Sequence, residues 1–236
     1  RFMHFRAQQS ARLMLEDDEI TFEEFMQYKF STRMLLADRV LDDLITAAKQ
    51  SGDQLSIKAA DVLKEWDRNS DNSSRGAVLF KVWTDEYGIS VDRDDLFAEP
   101  WNNKHPHKTP SGLSDPKGGA EALRRAAKNI LDIYGSLDIA WGDVFRLRGK
   151  GIDLPSNGAP GDPYGVFRVT GYGDNGDGTY TDEAGEHGVT LDDVRLLGKP
   201  SLEQNGYSQF GELHGSAINS WDATIGVMAH ELGHAF

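Results

Sequence analysis

The regular spacing of apolar residues in about the first 145 residues limits most strongly how this chain can fold. In "STRMLLADRVLDDLITAAKQ" (31–50) apolar side chains recur every three or four positions, so a helix would gather them on one face. The same spacing returns in "SIKAADVLKEWD" (56–67) and "SSRGAVLFKVWTDEYG" (73–88). We therefore predict amphipathic helices packed around a shared core, with Trp66 and Trp83 as buried anchors.

Local signals mark where several of these helices begin and end. Thr21 and Glu24 have the spacing of a capping box, in which each residue caps a backbone group of the other. A further helix is predicted to begin at Asp115, with proline in its first turn, and to end at Gly135. Three charged residues near the end of the 56–67 pattern are predicted to cap and bridge rather than to catalyse: Asp67, Arg68 and Asp71.

After residue 145 the pattern changes to short strands and hairpins. "DVFRLRGKGIDLP" (143–155) and "YGVFRVTGYGDNGDGTYTD" (164–182) combine alternating apolar residues with glycine turns. The "DNGDG" stretch does not fit a calcium loop, because the first and twelfth positions would be Gly173 and Ala184, so a hairpin turn is predicted. The fold class is therefore α+β, mostly helical at first, then strands, and ending in a motif helix that begins near Asp222.

Composition excludes several kinds of chemistry. The formal net charge of −13 would repel a phosphate backbone, so nucleic acid is not an expected partner. Cysteine is absent, which removes disulfides, thiol nucleophiles and sulfur ligands for a metal. Neither a membrane span nor a signal peptide is predicted within these residues. Because the sequence starts with Arg1 and stops inside a motif, we expect a processed or truncated piece of a longer protein.

The last residues, "MAHELGHAF" (228–236), contain a zinc-protease motif. On a helix His230 and His234 would lie one turn apart and could bind one zinc ion, with Glu231 beside them as general base. The apolar residues upstream favour this interpretation, since polar groups on a buried helix need a partner. The alternative is a surface helix that exposes two histidines by chance.

A catalytic zinc also needs a third protein ligand, for which the upstream candidates are Glu212, His214 and Asp222. The segments "GYSQFGELHG" (206–215) and "DATIGVMAHELGH" (222–234) resemble secreted zinc metalloproteases of the immune-inhibitor-A type. The resemblance implies peptide hydrolysis with zinc as cofactor. Those proteases continue past the second histidine with a glycine and an acidic residue, which this sequence lacks.

A longer part of the chain resembles another family. "RAQQSARLMLEDDEITFEEFMQYKFSTRMLLADRVLDDLI" (6–45), "AADVLKEWDRNSDNSSRGAVLF" (59–80), "GSLDIAWGDVFRL" (135–147) and "GIDLPSNGAPGDPYGVFRVTGY" (151–172) are similar to the large subunit of penicillin-acylase-type enzymes. Among enzymes of this type, the sequence most resembles the aculeacin and acyl-homoserine-lactone acylases.

This second resemblance implies an N-terminal-nucleophile hydrolase. Such a precursor is secreted or periplasmic, cuts itself, and uses a new N-terminal serine to attack an amide carbonyl without any cofactor. The serine and the oxyanion-hole asparagine would both lie upstream of Arg1. Arg6 matches an arginine that supports the active site in the family, although an ordinary surface arginine is the alternative. The implied partners are an acylated small molecule or peptide and a small subunit.

The two resemblances divide the chain into residues 1–172, acylase-like, residues 173–186, a junction rich in Gly and Asp, and residues 187–236, protease-like. The predicted function is hydrolysis of amide bonds by a penicillin-acylase-type segment that lacks its nucleophile. Two alternatives stay open, namely a zinc-dependent metallopeptidase and an inactive fragment or chimera of the two.

Overall fold

The computed structural model describes residues 3–16, 19–90, 93–149 and 152–182. These residues form a helical part followed by a small mixed sheet, as the sequence predicts for an α+β fold. The helices are α1 (Phe5–Leu15), α2 (Phe22–Lys29), α3 (Leu35–Gln50), α4 (Gln54–Glu65), α5 (Ala77–Tyr87), α6 (Pro116–Tyr134), and the one-turn helices α7 (Trp141–Val144) and α8 (Gly161–Tyr164). The strands are β1 (Phe145–Gly149), β2 (Ile152–Pro155), β3 (Tyr172–Asp174) and β4 (Tyr180–Asp182).

The helix ends that the sequence marks are present in the structure. The Thr21 backbone N–H donates to Glu24 Oε2 over 2.9 Å, and the Glu24 N–H donates to Thr21 Oγ1 over 3.2 Å, which completes the capping box of α2. Asp115 Oδ1 accepts from the Gly118 N–H at the start of α6. That helix ends at Gly135, whose φ of 75° closes the last turn in the left-handed region.

Helices α3, α4, α5 and α6 pack around the main core, and α6 contacts the other three. Trp66 and Trp83 are 5% and 0% exposed, which confirms both as core anchors. The Phe80 ring lies between them, with centroid distances of 5.2 and 5.4 Å. The Trp83 indole N–H donates to the Gly119 carbonyl over 3.0 Å, so its polar atom is satisfied inside the core and ties α5 to α6.

The four strands form one sheet in the order β2-β1-β4-β3. Strands β1 and β2 pair as an antiparallel hairpin, and β3 and β4 form a second one around the "DNGDG" turn, as the sequence predicts. The two hairpins join by parallel pairing of β1 with β4, where Phe145 lies opposite Tyr180. The Phe145 and Tyr180 rings stack at 4.9 Å, and Trp141 stacks on the other side of Phe145 at 3.8 Å, so aromatic contacts hold this seam.

The first part of the 164–182 stretch, predicted to contain short strands and hairpins, folds differently from the rest. Residues 164–170 do not form a regular strand, because the chain makes the single turn of α8 and then a loop with one bridge between Ala159 and Val169. At Gly165 the φ angle is 75° and the Leu35 Cβ lies 2.6 Å from where a side-chain Cβ would be, so only glycine fits this close approach. The final helix predicted near Asp222 lies outside the described residues.

Candidate functional site

Helix α1 carries polar side chains that the fold buries. Gln8, Gln9 and Ser10 are 0%, 2% and 0% exposed. Gln8 is satisfied, since its Nε2 donates to the Met3 carbonyl over 2.8 Å and its Oε1 accepts from Arg39 Nη2 over 3.1 Å. Among the residues that the structure describes, Gln9 Oε1 and Ser10 Oγ have no hydrogen-bond partner.

Arg6, the predicted supporting arginine, lies on the first turn of α1 and is half-buried. Its guanidinium carbon is 5.9 Å from the centroid of the Phe167 ring. Its Cδ atom passes 3.0 Å from where a Cβ of Gly161 would be, so glycine at that position makes room for it against α8. Arg6 is thus packed between α1 and the α8 region rather than extended over an open surface, and its role in the active site stays a prediction.

Asp38 on α3 is the centre of the largest charge cluster in the described part of the chain. Its carboxylate accepts hydrogen bonds from Arg33 (2.6 and 3.2 Å), Arg68 (3.2 Å) and Arg12 (3.3 Å), and its side chain is 14% exposed. Burial alone would raise the pKa of Asp38. The hydrogen bond and charge of Arg33, followed by Arg68 and Arg12, outweigh burial and lower that pKa below its ordinary value of 3.8.

The three charged residues predicted to cap and bridge make such contacts. Arg68 also bonds Asp42 over 2.7 Å, so it joins α3 to the end of α4. Asp67 Oδ1 accepts from the Asn69 N–H over 3.0 Å and from Ser74 Oγ over 3.2 Å. Asp71 Oδ1 accepts a hydrogen bond from Thr32 Oγ1 over 2.8 Å. These contacts fix the loop after α4 against the start of α3.

Arg39 follows Asp38 on α3, and its guanidinium connects α3 to α1 and to the loop of residues 99–112. Its Nη1 donates to the Lys108 carbonyl over 2.5 Å, and its Nη2 donates to the His107 carbonyl over 2.6 Å as well as to Gln8 on α1. Burial, followed by the charge of Arg12, lowers the pKa of Arg39, although a guanidinium stays charged at any ordinary pH. Through Arg39 and Gln8, the long loop of residues 99–112 is therefore fixed to α1, the helix that carries Arg6.

A second cluster of polar side chains, formed by Ser156, Tyr172 and Asp182, lies at the sheet. Ser156 Oγ donates to Asp182 Oδ2 over 2.8 Å and lies 3.1 Å from the Tyr172 hydroxyl. Burial raises the pKa of Tyr172, so its hydroxyl stays protonated and can donate to a nearby backbone carbonyl such as that of Asn157. No sequence motif points to this group, because Ser156 and Asp182 are far apart in the chain and meet only through the sheet.

The predicted zinc site lies outside the described residues. This applies to His230, Glu231 and His234 and to the candidates for a third ligand, which are Glu212, His214 and Asp222. Within residues 3–16, 19–90, 93–149 and 152–182, no three His, Cys, Asp or Glu side chains are arranged to hold a metal ion. No helix in that same part of the chain is long and apolar enough to cross a bilayer.

Comparison with known protein families agrees with the longer of the two resemblances. The family model for penicillin amidase matches residues 3–196, which includes every helix and strand described above. The match continues past residue 172, through the β3–β4 hairpin, and ends before the "MAHELGHAF" motif. With most of its length covered in this way, the chain belongs to the penicillin amidase family, a family of amide-bond hydrolases.

Proposed function

We propose that this chain is part of the large subunit of an N-terminal-nucleophile acylase that hydrolyses the amide bond of an acylated small molecule or peptide. The observation that carries the proposal is the penicillin amidase match over residues 3–196. The colinear blocks between residues 6 and 172 support the same family and favour acylases of the aculeacin and acyl-homoserine-lactone type.

In this proposal the nucleophile is a serine on the N-terminal side of residue 1. Its own α-amine accepts the hydroxyl proton while the oxygen attacks the amide carbonyl, and the amine product leaves with that proton. Water then hydrolyses the acyl-enzyme and releases a carboxylic acid. No cofactor takes part in either half of this reaction.

Arg6 would support this site from helix α1. The packing of Arg6 between α1 and α8 and the attachment of α1 to Arg39 would hold the guanidinium in a fixed position. A fixed positive group near the reacting carbonyl favours the transition state, since it needs no reorganisation when negative charge develops. Secretion or periplasmic export, and association with a small subunit, complete the proposal.

The zinc motif keeps a second function open. His230, Glu231 and His234 have the spacing of a zinc peptidase, and this alternative divides the chain into segments 1–172, 173–186 and 187–236. A chimera of two hydrolase segments, inactive in both, is the third possibility. The acylase, the zinc peptidase and the inactive chimera predict different responses to a chelator and to a serine-directed reagent.

The test uses the complete gene product that contains residues 1–236. Hydrolysis of N-acyl p-nitroanilides of increasing chain length is measured alone, with a chelator, and with a sulfonyl fluoride. The acylase proposal expects turnover that ignores the chelator and is abolished by the sulfonyl fluoride. Loss of turnover with the chelator alone would instead support the zinc peptidase, and no turnover in any condition would support the inactive chimera.

Arg6 is tested in the same assay. We expect Arg6→Ala to lower kcat/KM at least about tenfold, because a lost charge contact in a transition state is worth about 1.4 kcal/mol or more. The matched control is Arg124→Ala, which removes an exposed arginine from α6 and should leave kcat/KM unchanged. Equal activity of the two variants would remove Arg6 from the active site.

A further inference from the structure

The turn between β3 and β4 contains an asparagine that is followed directly by a glycine, Asn175–Gly176. In such a pair the backbone nitrogen of the glycine can attack the side-chain carbon Cγ of the asparagine, because glycine has no side chain to obstruct the approach. Both residues are exposed. Apart from the chain neighbours, no atom of the described residues lies within 4 Å of where a Cβ of Gly176 would be. The turn therefore has room for the movement that this attack needs.

The attacking nitrogen has a base in contact with it. The Gly176 N–H donates to Asp174 Oδ1 over 2.8 Å. A carboxylate that already holds this hydrogen bond can accept the amide proton while the nitrogen attacks, which is general-base catalysis. Asp174 is itself exposed, so the proton can pass on to solvent.

The amide group under attack is also hydrogen-bonded. Asn175 Oδ1 accepts from Thr181 Oγ1 over 3.1 Å, and Asn175 Nδ2 donates to Thr179 Oγ1 over 3.1 Å. A donor at the carbonyl oxygen stabilises the negative charge that develops there during attack on Cγ. The turn thus brings a nucleophile, a base and an activated carbonyl together within a few residues.

A second pair of the same type, Asn157–Gly158, has very different surroundings. Asn157 Oδ1 accepts from Arg168 Nε over 2.6 Å, and Gly158 is buried. The Gly158 N–H donates to the Ser70 carbonyl over 3.0 Å, which is a neutral group and not a base. The Arg168 carbonyl lies 2.5 Å from where a Cβ of Gly158 would be, so the backbone has little room to move. The same two residues are therefore held apart from this reaction by the fold.

From this contrast we propose that Asn175 is a site of spontaneous covalent modification, in which the Gly176 nitrogen closes a succinimide ring with Asp174 as the base. The bond from Gly176 N to Asn175 Cγ forms, the Cγ–Nδ2 bond breaks, and the amide proton of Gly176 leaves with Nδ2 as ammonia. Water from the solvent then opens the ring at either carbonyl, which gives aspartate or isoaspartate at position 175. The proposal concerns this turn alone and does not depend on the proposed amide hydrolysis.

The products differ from Asn175 in charge and in backbone. Either product places a third carboxylate between those of Asp174 and Asp177, and isoaspartate adds one carbon to the main chain of the turn. Like charges so close together repel each other. The next glycine in the turn, Gly178, accepts a hydrogen bond at its carbonyl from the Tyr134 hydroxyl on α6. The modification therefore alters the turn beside its contact with α6.

The experiment incubates the complete gene product that contains residues 1–236 at mildly alkaline pH and samples it over several days. After digestion at acidic pH, mass spectrometry locates the mass gain of deamidation at each asparagine. In the folded protein Asn175 should react at least about tenfold faster than Asn157, because only its turn can open at little cost. In guanidinium chloride the two rates should agree within about threefold, since the fold no longer protects Asn157.

Two results would overturn the proposal. A folded-state rate at Asn175 no higher than at Asn157 would remove the site. A difference that persists unchanged in guanidinium chloride would mean that neighbouring sequence, and not the folded contacts, selects Asn175.

The role of Asp174 is tested by a matched pair of variants, Asp174→Ser and Asp177→Ser. Both remove one exposed carboxylate from the turn, but Asp177 Oδ1 accepts from the Thr179 N–H over 2.9 Å instead of from Gly176. Asp174→Ser should slow deamidation of Asn175 at least about threefold, and Asp177→Ser should not slow it, because only Asp174 contacts the attacking nitrogen. Equal rates in the two variants would contradict the assignment of Asp174 as the base.

Discussion

Replacing Asp38 with Asn should expose how much the arginine cluster contributes to stability. The substitution keeps the size of the side chain but removes the charge that Arg33, Arg68 and Arg12 share, at distances of 2.6 to 3.3 Å. Removing one partner of a buried ion pair typically costs 3 to 5 kcal/mol, because the remaining charges stay desolvated. The arginine side chains are 24% to 33% exposed, so water screens part of this loss and we expect about 2 to 4 kcal/mol.

The measurement is urea denaturation at pH 7, followed by far-ultraviolet circular dichroism, for the wild-type chain and the variant. Urea is preferred to guanidinium chloride because salt would screen the arginines. The matched control is Asp61→Asn on α4, which removes one partner of an exposed pair with Lys49 at 3.1 Å and should cost less than about 1 kcal/mol. A loss at Asp38 no larger than at Asp61 would refute the reasoning.

The pH dependence of the free energy of unfolding gives an independent check of the contribution of Asp38. Because folding lowers the pKa of Asp38, its stabilisation is fully present above the unfolded value of 3.8 and is lost as the pH falls through the folded pKa. The free energy of unfolding of the wild type should therefore fall toward that of Asp38→Asn in acid. A difference between the two proteins that stays constant from pH 7 to well below 3.8 would contradict this origin.

Two further substitutions test local geometry by the same denaturation assay. Gly165→Ala should lower the free energy of unfolding by about 2 to 4 kcal/mol, because a Cβ there would meet Leu35 at 2.6 Å in addition to the strain of a positive φ. Gly176→Ala has a similar φ of 74° but open space around it and should cost only about 1 kcal/mol, so equal losses would exclude the steric explanation. Thr21→Ala should cost about 1 kcal/mol by removing the α2 cap, and Thr21→Ser should recover most of it; a Ser variant as unstable as Ala would argue against capping.

The sequence predicts best those parts of the fold that depend on neighbouring residues. Thr21 and Glu24 cap the same turn, and Asp115 and Gly135 cap the two ends of α6, because each signal acts within a few residues. Residues 164–170 lie in the stretch predicted to contain short strands and hairpins, but only its later part forms strands. The alternation of apolar residues in 164–170 reflects packing of a loop against α1 and α3, a tertiary contact that local periodicity does not distinguish from a strand.

The candidate site was predictable only in part for the same reason. Arg6 could be singled out through family resemblance, but its packing beside Phe167 depends on residues far along the chain. The arginines around Asp38 come from three different parts of the chain, and no sequence spacing brings them together. Contacts between residues far apart in the chain depend on the topology of the fold, which short sequence motifs do not determine.

The parallel seam between β1 and β4 bears on the order in which the sheet assembles. Each hairpin closes between near neighbours in the chain, whereas the seam joins distant residues through only two register pairs, Phe145 with Tyr180 and Arg146 with Thr181. Closing so long a loop costs entropy before these contacts form, so the hairpins can assemble early while the seam forms late. We expect the ring stack at Phe145 to stabilise the seam between the hairpins, so that weakening the stack would let the backbone amides along the seam exchange with solvent more often.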